Sequence, residues 1–434
     1  MTITLTRMIT ILCLIIFAVV TLYQVRYASG GSLTLRLPQD RNMVMRFSGQ
    51  EALIICIFAT AWLGLTPVMA IRVIVIEALC IFALMQSANR LPWSFPLKFF
   101  LVFVAWLVIG LFYTPSLSYG LRMIIKYLYP FILALLCAKV VRDGETALTA
   151  SLIARWVAAI GVLFILIPGY HQIIFDILYY SSGYITGLIS LAMLSFALVE
   201  FSNNKKRNLL WGIGLCLPAL IKVYRTDIFG TGVALAAFFT IKYKLKALPI
   251  VALIGVAGIC VMFFVPSVRE KMFIGQDVTI TDFTKGGKKV DESTIQTNYR
   301  AYAWKMAKKD LVDGNELIGA GTGRVQKYMY TEVNDGRRGG QLHNDLLVMQ
   351  IDNGQIGLWL YILCNILIFL HCLKIYNNKT EGPYTRMFAL TAGASLLGVL
   401  VTMYSDNTIS YSIVTTSFPW AFYGMALGLK ETRA

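Results

Sequence analysis

The feature that most constrains this chain is a series of apolar runs, each about 18–20 residues long, that recurs along its 434 residues. A helix of that length crosses the hydrocarbon core of a bilayer, so each run predicts a transmembrane helix. Hydrophobic residues make up 57% of the chain and charged residues only 14%, more apolar surface than a soluble protein of this length could bury. Because lipid admits only helices and closed barrels, we predict an all-α, polytopic helical membrane protein.

The basic residues give a predicted orientation for the second half of the chain. Working back from Lys430, lysines and arginines recur in alternate connections, as expected of cytoplasmic loops. The predicted spans are 50–65, 73–86, 99–113, 121–138, 147–167, 184–201, 209–223, 228–241, 247–265, 346–373, 387–404 and 409–429. This gives about 12 transmembrane helices, with an uncleaved first helix at residues 8–23 as a further one. The arginines of residues 26–46 would also prefer the cytoplasm, which conflicts with a cytoplasmic N-terminus. Whether the number of spans in the first third is odd or even therefore stays open.

The net charge of +16 is explained by the same loop bias rather than by nucleic-acid binding, and part of the excess is available for an anionic lipid. The eight cysteines lie in or beside apolar runs without a CxxC pair, and there are only three histidines. The sequence therefore predicts neither a disulfide framework nor a metal site, and it calls for no cofactor.

Residues 266–343 form the one long outer loop of an otherwise single transmembrane domain, residues 1–434. Within the loop, residues 299–307 have amphipathic helical spacing and residues 326–330 are also predicted to be helical. Between them lies Gly319-Ala-Gly-Thr-Gly-Arg324. A dinucleotide fingerprint needs another glycine spacing inside a βαβ unit, so we interpret this segment as flexible backbone beside a binding site or as an ordinary loop turn.

Three outer residues combine unusual chemistry with unusual positions. Arg225 lies between two short spans, either snorkelling or paired with Asp227, or acting as a ligand for an anion. Arg300 lies on the loop helix, either on a solvated face or as a second anion ligand. His343 lies where an apolar helix begins, either capping or packing there, or acting as a base that the positive helix end keeps neutral.

These elements have a familiar order in the chain. Arg225 follows a short span, Arg300 and Trp304 lead to Gly319-Ala320-Gly321, and His343-Asn344 is followed by nine residues and then Gly354-Gln-Ile-Gly357. From Tyr224 to the last spans, the chain resembles the superfamily of O-antigen ligases and Wzy-type polysaccharide polymerases. The first half agrees with that superfamily only in being multi-spanning.

The resemblance implies a glycosyltransferase of the bacterial inner membrane whose active site faces the periplasm and needs no metal. The implied donor is a glycan on undecaprenyl pyrophosphate. The implied acceptor is the lipid A core in a ligase or a second lipid-linked glycan in a polymerase, and the spacing after His343 narrowly favours the ligase. The superfamily's essential arginines correspond to Arg225 and Arg300, and its catalytic histidine to His343.

Further residues have weaker predicted roles. Asn344 is expected to cap the helix, to orient His343 or to bind the pyrophosphate or glycan, and Asp352 to be a buried hydrogen-bonding partner. Gly354 and Gly357 would let a neighbouring helix approach closely. The candidates for binding the pyrophosphate or glycan, each also explicable as an ordinary surface charge, are Arg324, Arg337, Arg338 and Lys222, followed by Arg122 and Lys126. His171 is expected to be structural or to face the acceptor, and His371 to be unrelated to the chemistry.

The main alternative function is a transporter or flippase of lipid-linked glycans, which would share the span count and a basic cavity. Such proteins usually carry repeats and broken helices near the middle of the membrane. This chain instead concentrates its unusual residues at one outer surface, which favours the transferase.

Overall fold

The computed structural model describes residues 33–36, 44–62, 69–87, 89–167, 182–272, 300–312, 314–332 and 341–431. Their helices, in chain order, are α1 (Gly49–Ala61), α2 (Met69–Gln86), α3 (Phe95–Leu111), α4 (Leu117–Val140), α5 (Gly144–Leu166), α6 (Ser182–Phe201), α7 (Lys205–Ile221), α8 (Arg225–Tyr243), α9 (Leu248–Phe264), α10 (Pro266–Met272), α11 (Arg300–Leu311), α12 (Arg324–Lys327), α13 (Asp345–Asn377), α14 (Pro383–Thr402) and α15 (Ser417–Glu431). A π-helical turn, Tyr328–Glu332, follows α12.

The chain is helical almost throughout its described part, as predicted, but it also contains a short antiparallel hairpin. Strands β1 (Leu33–Arg36) and β2 (Val44–Phe47) pair with Leu33 opposite Phe47. No strand was predicted there, because strands of four residues are too short to show a clear hydrophobic pattern in the sequence. The predicted first helix, the segment 169–181 and residues 273–299 and 333–340 of the outer loop lie outside the described residues.

Six helices among the described residues are long and apolar enough to cross a membrane, which is compatible with a multi-pass membrane protein. They are Leu117–Val140, Gly144–Leu166, Gly183–Phe201, Arg225–Phe264, Asp345–Asn377 and Pro383–Thr402. The fourth combines α8 and α9, which are joined by the 3₁₀ turn Lys244–Ala247. Shorter apolar helices match other predicted spans, so the count of about 12 stays a prediction.

Small residues set the closest helix contacts in the bundle. In α15, a Cβ on Gly424 would lie 2.2 Å from the Ala134 carbonyl oxygen of α4, and one on Gly428 would lie 2.5 Å from that of Val141. This GxxxG spacing lets the two backbones touch along one face. The same device joins α8 to α14, where a Cβ on Gly398 would lie 2.7 Å from the Gly230 carbonyl oxygen. The α8–α14 contact fixes the start of α8 relative to the end of α14.

Two predicted spans differ from the structure. The span 346–373 is broken, because Gly354 in α13 has φ 67° and ψ −174°, a conformation essentially restricted to glycine. The span 409–429 is also wrong at its start: Ile409–Tyr411 is a 3₁₀ turn and α15 begins only at Ser417. Hydroxyl groups compete for the backbone between them, since the Thr415 hydroxyl donates to the Thr408 carbonyl at 2.6 Å.

Candidate functional site

A cavity of about 1260 Å³ lies at the end of the bundle where α11 meets α8, α13 and α14. Its upper wall carries four cations, Arg225, Arg300, Lys305 and Lys308, and the lining found among the described residues includes no acid. Its lower wall is apolar and consists of Phe229, Leu346, Ile362, Ile366, Leu397, Leu400 and Val401. Like charges around one cleft attract an anion, whereas the apolar wall below them accepts hydrocarbon.

Arg225 is the first residue of α8, not part of a connection as predicted. The preceding turn is closed by Val223, whose φ is 53°. The Arg225 guanidinium donates to the Lys271 carbonyl of α10 at 2.6 Å, and the next residue, Thr226, lies 2.9 Å from the Ser405 hydroxyl. The first two residues of α8 are thus tied to the start of the outer loop, through Arg225, and to the turn after α14, through Thr226.

Arg300 is the first residue of α11 and donates to the Ser405 carbonyl. One turn later, Trp304 donates its indole N–H to the Leu342 carbonyl at 2.6 Å, and its ring centroid lies 5.7 Å from that of Tyr404. These contacts fasten α11 to both segments that flank the cavity. The structure therefore brings the two predicted arginines to one cavity from elements 75 residues apart in the chain (300 − 225).

His343 lies two residues before α13 begins and has a positive φ of 49°, which is uncommon outside glycine. The segment after it is held firmly. The Asn344 side chain caps α13 by accepting from the Leu347 amide at 2.9 Å. The buried Asp345 carboxylate accepts from the Ile409 amide at 2.8 Å and the Thr408 hydroxyl at 2.9 Å. These bonds impose the strained His343 backbone, as often happens at functional sites.

Asp406 is the partner of the imidazole, with its Oδ1 3.3 Å from His343 Nδ1. The Asn407 side-chain nitrogen lies 3.1 Å from the same Nδ1 and donates to Gln341 Oε1 at 2.6 Å. A proton on Nδ1 serves the contact with Asp406 and keeps the Nε2 lone pair for an incoming proton; the Asn407 amide group, itself a donor, then hydrogen-bonds Gln341 and not Nδ1.

Burial alone would raise the pKa of Asp406. The hydrogen bonds from the His343 side chain and the Asn407 amide outweigh that effect, and the His343 and Arg300 charges act in the same direction, so this pKa lies below its ordinary value. Asp406 therefore supplies a stable negative charge behind the imidazole. Its side chain is 7% exposed and that of His343 38%, so the pair presents the imidazole outward.

His343 does not itself appear in the cavity lining found among the described residues. It is connected to the cavity through consecutive residues: Ser405 lines the cavity and accepts from Arg300, and Asp406 contacts His343. Asp406 consequently links the imidazole to Ser405, which belongs to the cavity lining.

The Gly319–Arg324 segment contains a turn, as one of the two interpretations predicted, in which the Arg324 amide donates to the Gly321 carbonyl at 3.0 Å; the segment is also docked into the break of α13. A regular helix would pair the Gln355 and Ile356 amides with the Ile351 and Asp352 carbonyls. Instead the loop carbonyls of Glu316 and Leu317 accept from those amides at 2.8 and 3.2 Å, and the loop amides of Ala320 and Gly321 donate to those carbonyls at 2.8 and 3.0 Å. The loop thus satisfies four backbone groups at the break, and the Trp106 indole N–H donates to the neighbouring Asn353 carbonyl at 2.8 Å.

Asp352 completes this docking and is a buried hydrogen-bonding partner, as predicted. Its carboxylate accepts from the Val325 amide at 2.8 Å and the Gly323 amide at 2.9 Å, capping α12 from a distant part of the chain. The expectation for Gly354 was wrong: a Cβ there would lie 2.0 Å from the Leu317 carbonyl oxygen, so a loop, not a helix, makes the close approach. Gly357 does face a neighbouring helix, with Trp106 of α3 within 3.1 Å of its would-be Cβ.

The remaining predicted binding residues are not gathered at the cavity. Arg324 makes a two-pronged ion pair with Glu332 at 2.5 and 2.9 Å. Lys222 follows α7, and its carbonyl accepts from the Lys271 ammonium at 3.2 Å. The guanidinium of Arg122 lies 5.4 Å from the ring centroid of Tyr119, and Lys126 is 3.4 Å from the Ser410 hydroxyl. His371 contacts Tyr423 at 2.6 Å in a distant part of α13, whereas Arg337, Arg338 and His171 lie outside the described residues.

Asp406 and Asn407 were predicted only to form part of a tight outer turn, and their contact with His343 was missed. Lys305 and Lys308 of α11, which also line the cavity, were missed as well. Two signals were available. The Asp406-Asn407 pair lies in a turn on the same predicted side as His343, and the lysines lie on the same predicted loop helix as Arg300.

Comparison with known proteins identifies no relative: no protein-family model matches the chain, and a search of curated proteins found no similar sequence.

Proposed function

We propose that this protein is a metal-independent membrane glycosyltransferase that takes a glycan from undecaprenyl pyrophosphate and transfers it to an acceptor saccharide at the periplasmic face of a bacterial inner membrane. The observation that carries the proposal is one cavity with four cations above an apolar wall. A lipid pyrophosphate has that polarity, because its charged group lies at the membrane surface and its chain extends into the hydrocarbon.

In the proposed reaction, an acceptor hydroxyl attacks the anomeric carbon of the donor sugar. The new carbon–oxygen bond forms while the bond to pyrophosphate breaks, and that electron pair stays on the pyrophosphate oxygen. Arg225 and Arg300 stabilise the growing negative charge, an interaction that is stronger in the transition state than in the bound donor. The hydroxyl proton goes to Nε2 of His343, and the Asp406 carboxylate stabilises the resulting imidazolium.

The function is tested by reconstituting the purified protein with a lipid-pyrophosphate oligosaccharide and measuring the transfer product. One set of reactions receives lipid A core as acceptor and another receives only the lipid-linked donor, so that product size separates ligase from polymerase activity. We expect Arg225→Ala, Arg300→Ala and His343→Ala to abolish transfer. Arg324→Ala is the matched control, because the Arg324 side chain is engaged with Glu332 and is not part of the cavity lining.

Retained transfer in the Arg225 and His343 variants would contradict the proposed mechanism. Absence of transfer in the wild-type protein with either acceptor, together with movement of the lipid-linked glycan across the bilayer, would instead support the transporter or flippase.

A further inference from the structure

Two aromatic side chains that line the large cavity, Trp304 and Tyr404, have no part in the reaction described above. Trp304 lies one turn after Arg300 on α11. Its indole N–H donates to the carbonyl of Leu342, the residue before His343, at 2.6 Å. Trp304 therefore joins the helix that supplies an arginine to the segment that supplies the base.

Tyr404 reaches the same cavity from the turn after α14. It is followed by Ser405, which also lines the cavity, and by Asp406, the partner of His343. Its ring centroid lies 5.7 Å from that of Trp304, with 69° between the two ring planes, and Tyr404 is 60% exposed. We call Trp304 and Tyr404 the aromatic corner, because the two rings meet at a steep angle and leave much of the Tyr404 ring accessible.

The aromatic corner lies where the donor sugar of the proposed reaction belongs. Arg225 and Arg300 bind the pyrophosphate, and the attacking hydroxyl gives its proton to His343. The anomeric carbon lies between these two groups, because it forms a bond to one while its bond to the other breaks. The aromatic corner is connected to both, through α11 on the arginine side and through Leu342 on the histidine side. The sugar that carries this carbon therefore adjoins the aromatic corner.

An aromatic ring and a sugar ring complement each other electrostatically. The face of an aromatic ring is negative, whereas the hydrogens of C–H bonds beside oxygen are weakly positive. In a pyranose whose hydroxyl groups are equatorial, the axial C–H bonds form a patch on the ring face that carries no hydroxyl group. Cations cannot recognise such a patch, so the arginines alone would bind the pyrophosphate without selecting the sugar.

We infer that the aromatic corner binds the first sugar of the donor, the one joined to the pyrophosphate, through a ring face made of C–H bonds. This inference rests on the proposed function and names the class of its donor sugar, a hexopyranose with equatorial substituents. Arg225 and Arg300 then bind any lipid pyrophosphate, whereas the aromatic corner distinguishes a glycosylated lipid from an unglycosylated one. The lipid pyrophosphate left after transfer lacks the sugar contact and dissociates more readily.

The test compares two probes that differ only by one sugar. The protein in nanodiscs is titrated with undecaprenyl pyrophosphate and with the same lipid carrying a single N-acetylglucosamine, and the ratio of the two Kd values is measured. In the wild-type chain, the glycosylated lipid should bind roughly three- to tenfold more tightly. In Tyr404→Ala this ratio should fall to about one, whereas Tyr404→Phe should retain it because the aromatic ring is kept.

Phe112→Ala is the matched control. Phe112, at the end of α3, is also an exposed aromatic residue, but it is not part of the cavity lining found among the described residues. Its ratio of Kd values should equal that of the wild-type chain. The Kd for undecaprenyl pyrophosphate should be the same in all four proteins, since Arg225 and Arg300 are unchanged.

Equal Kd values for the two probes in the wild-type chain, or an unchanged ratio in Tyr404→Ala, would overturn the inference. Equal weakening of both probes in Tyr404→Ala would also overturn it, because Tyr404 would then act as an anchor at the membrane interface and not as a sugar contact. The transfer assay keeps this result apart from the proposed function. Selective binding without transfer by the wild-type chain would contradict the proposed function alone, whereas transfer together with an unchanged ratio in Tyr404→Ala would contradict the sugar contact alone.

Discussion

The break of α13 at Gly354 provides the most quantitative prediction, because the loop that fills it makes a defined set of bonds. In Gly354→Ala, the new methyl group would lie 2.0 Å from the Leu317 carbonyl oxygen, a backbone atom that no side-chain rotation can move. The residue would also keep φ 67° and ψ −174°, which costs a non-glycine residue on the order of 1–3 kcal/mol. The loop must therefore leave the break.

Leaving the break removes the four loop–helix backbone hydrogen bonds described above. At about 0.5–1.5 kcal/mol each, they contribute about 2–6 kcal/mol to loop docking. The open state lacks these bonds in both proteins, so the change comes from the docked state: a strain of on the order of 1–3 kcal/mol, at 1.4 kcal/mol per factor of ten, makes the open state roughly five- to a hundredfold more populated before the methyl clash is added. Hydrogen–deuterium exchange measures this directly, because the amides of Ala320, Gly321, Gln355 and Ile356 are protected only while the loop is docked.

The control for this experiment is Gly214→Ala, since a Cβ at Gly214 meets nothing within 4 Å and its exchange pattern should equal that of the wild-type chain. If the peptides that contain Ala320 and Gln355 exchange equally fast in Gly354→Ala and in the wild-type chain, the loop does not depend on this glycine and the docking argument is refuted.

Three further predictions concern the residues around His343. Asp406→Asn should lower kcat for glycan transfer by on the order of 10², with little change in the KM for the donor, because the imidazole loses its charged partner while the arginines remain. The pKa of Asp406 lies below its ordinary value of 3.8, so the carboxylate stabilises the fold above that pH and the stabilisation is lost as the pH falls through the lowered pKa. As the pH falls below 3.8, the Tm should therefore decrease more steeply in the wild-type chain than in Asp406→Asn. Equal slopes of Tm against pH would contradict this prediction. Asn344→Ala should lose about 1 kcal/mol of stability with the helix cap, and Asn344→Ser should recover most of it, as measured by thermal unfolding.

Sequence patterns predicted the positions of most membrane helices because apolar runs fix them with little reference to the rest of the chain. The limits of α5 and α14 fall within four residues of the predicted spans 147–167 and 387–404. The cap at Asn344 and the burial of Asp352 were also predictable, since a short polar side chain at a helix start and an acid inside a span have few other uses.

The pairing of the outer loop with α13 could not be predicted in the same way. Its bonds join backbone groups, such as the Gly321 amide and the Asp352 carbonyl, and backbone groups leave no residue-type signature. The glycines were visible as possible sites of close approach, but the sequence does not say what approaches. The pairing of His343 with Asp406 is hidden for a related reason, because it depends on how α14 ends and on which residues of the following turn face inward.

The arrangement of Ser405 and Asp406 resolves a conflict that the proposed reaction imposes on any such site. A base needs a nearby acid to hold its tautomer and to stabilise it once protonated. An acid inside the anion cavity would repel the donor pyrophosphate and cancel part of the arginine field. Consecutive residues of one turn separate the two requirements: Ser405 faces the cavity and accepts from Arg300, whereas Asp406 is turned behind His343. The negative charge therefore contacts the imidazole directly and acts on Arg300 only from behind the wall, so the lining found among the described residues stays cationic.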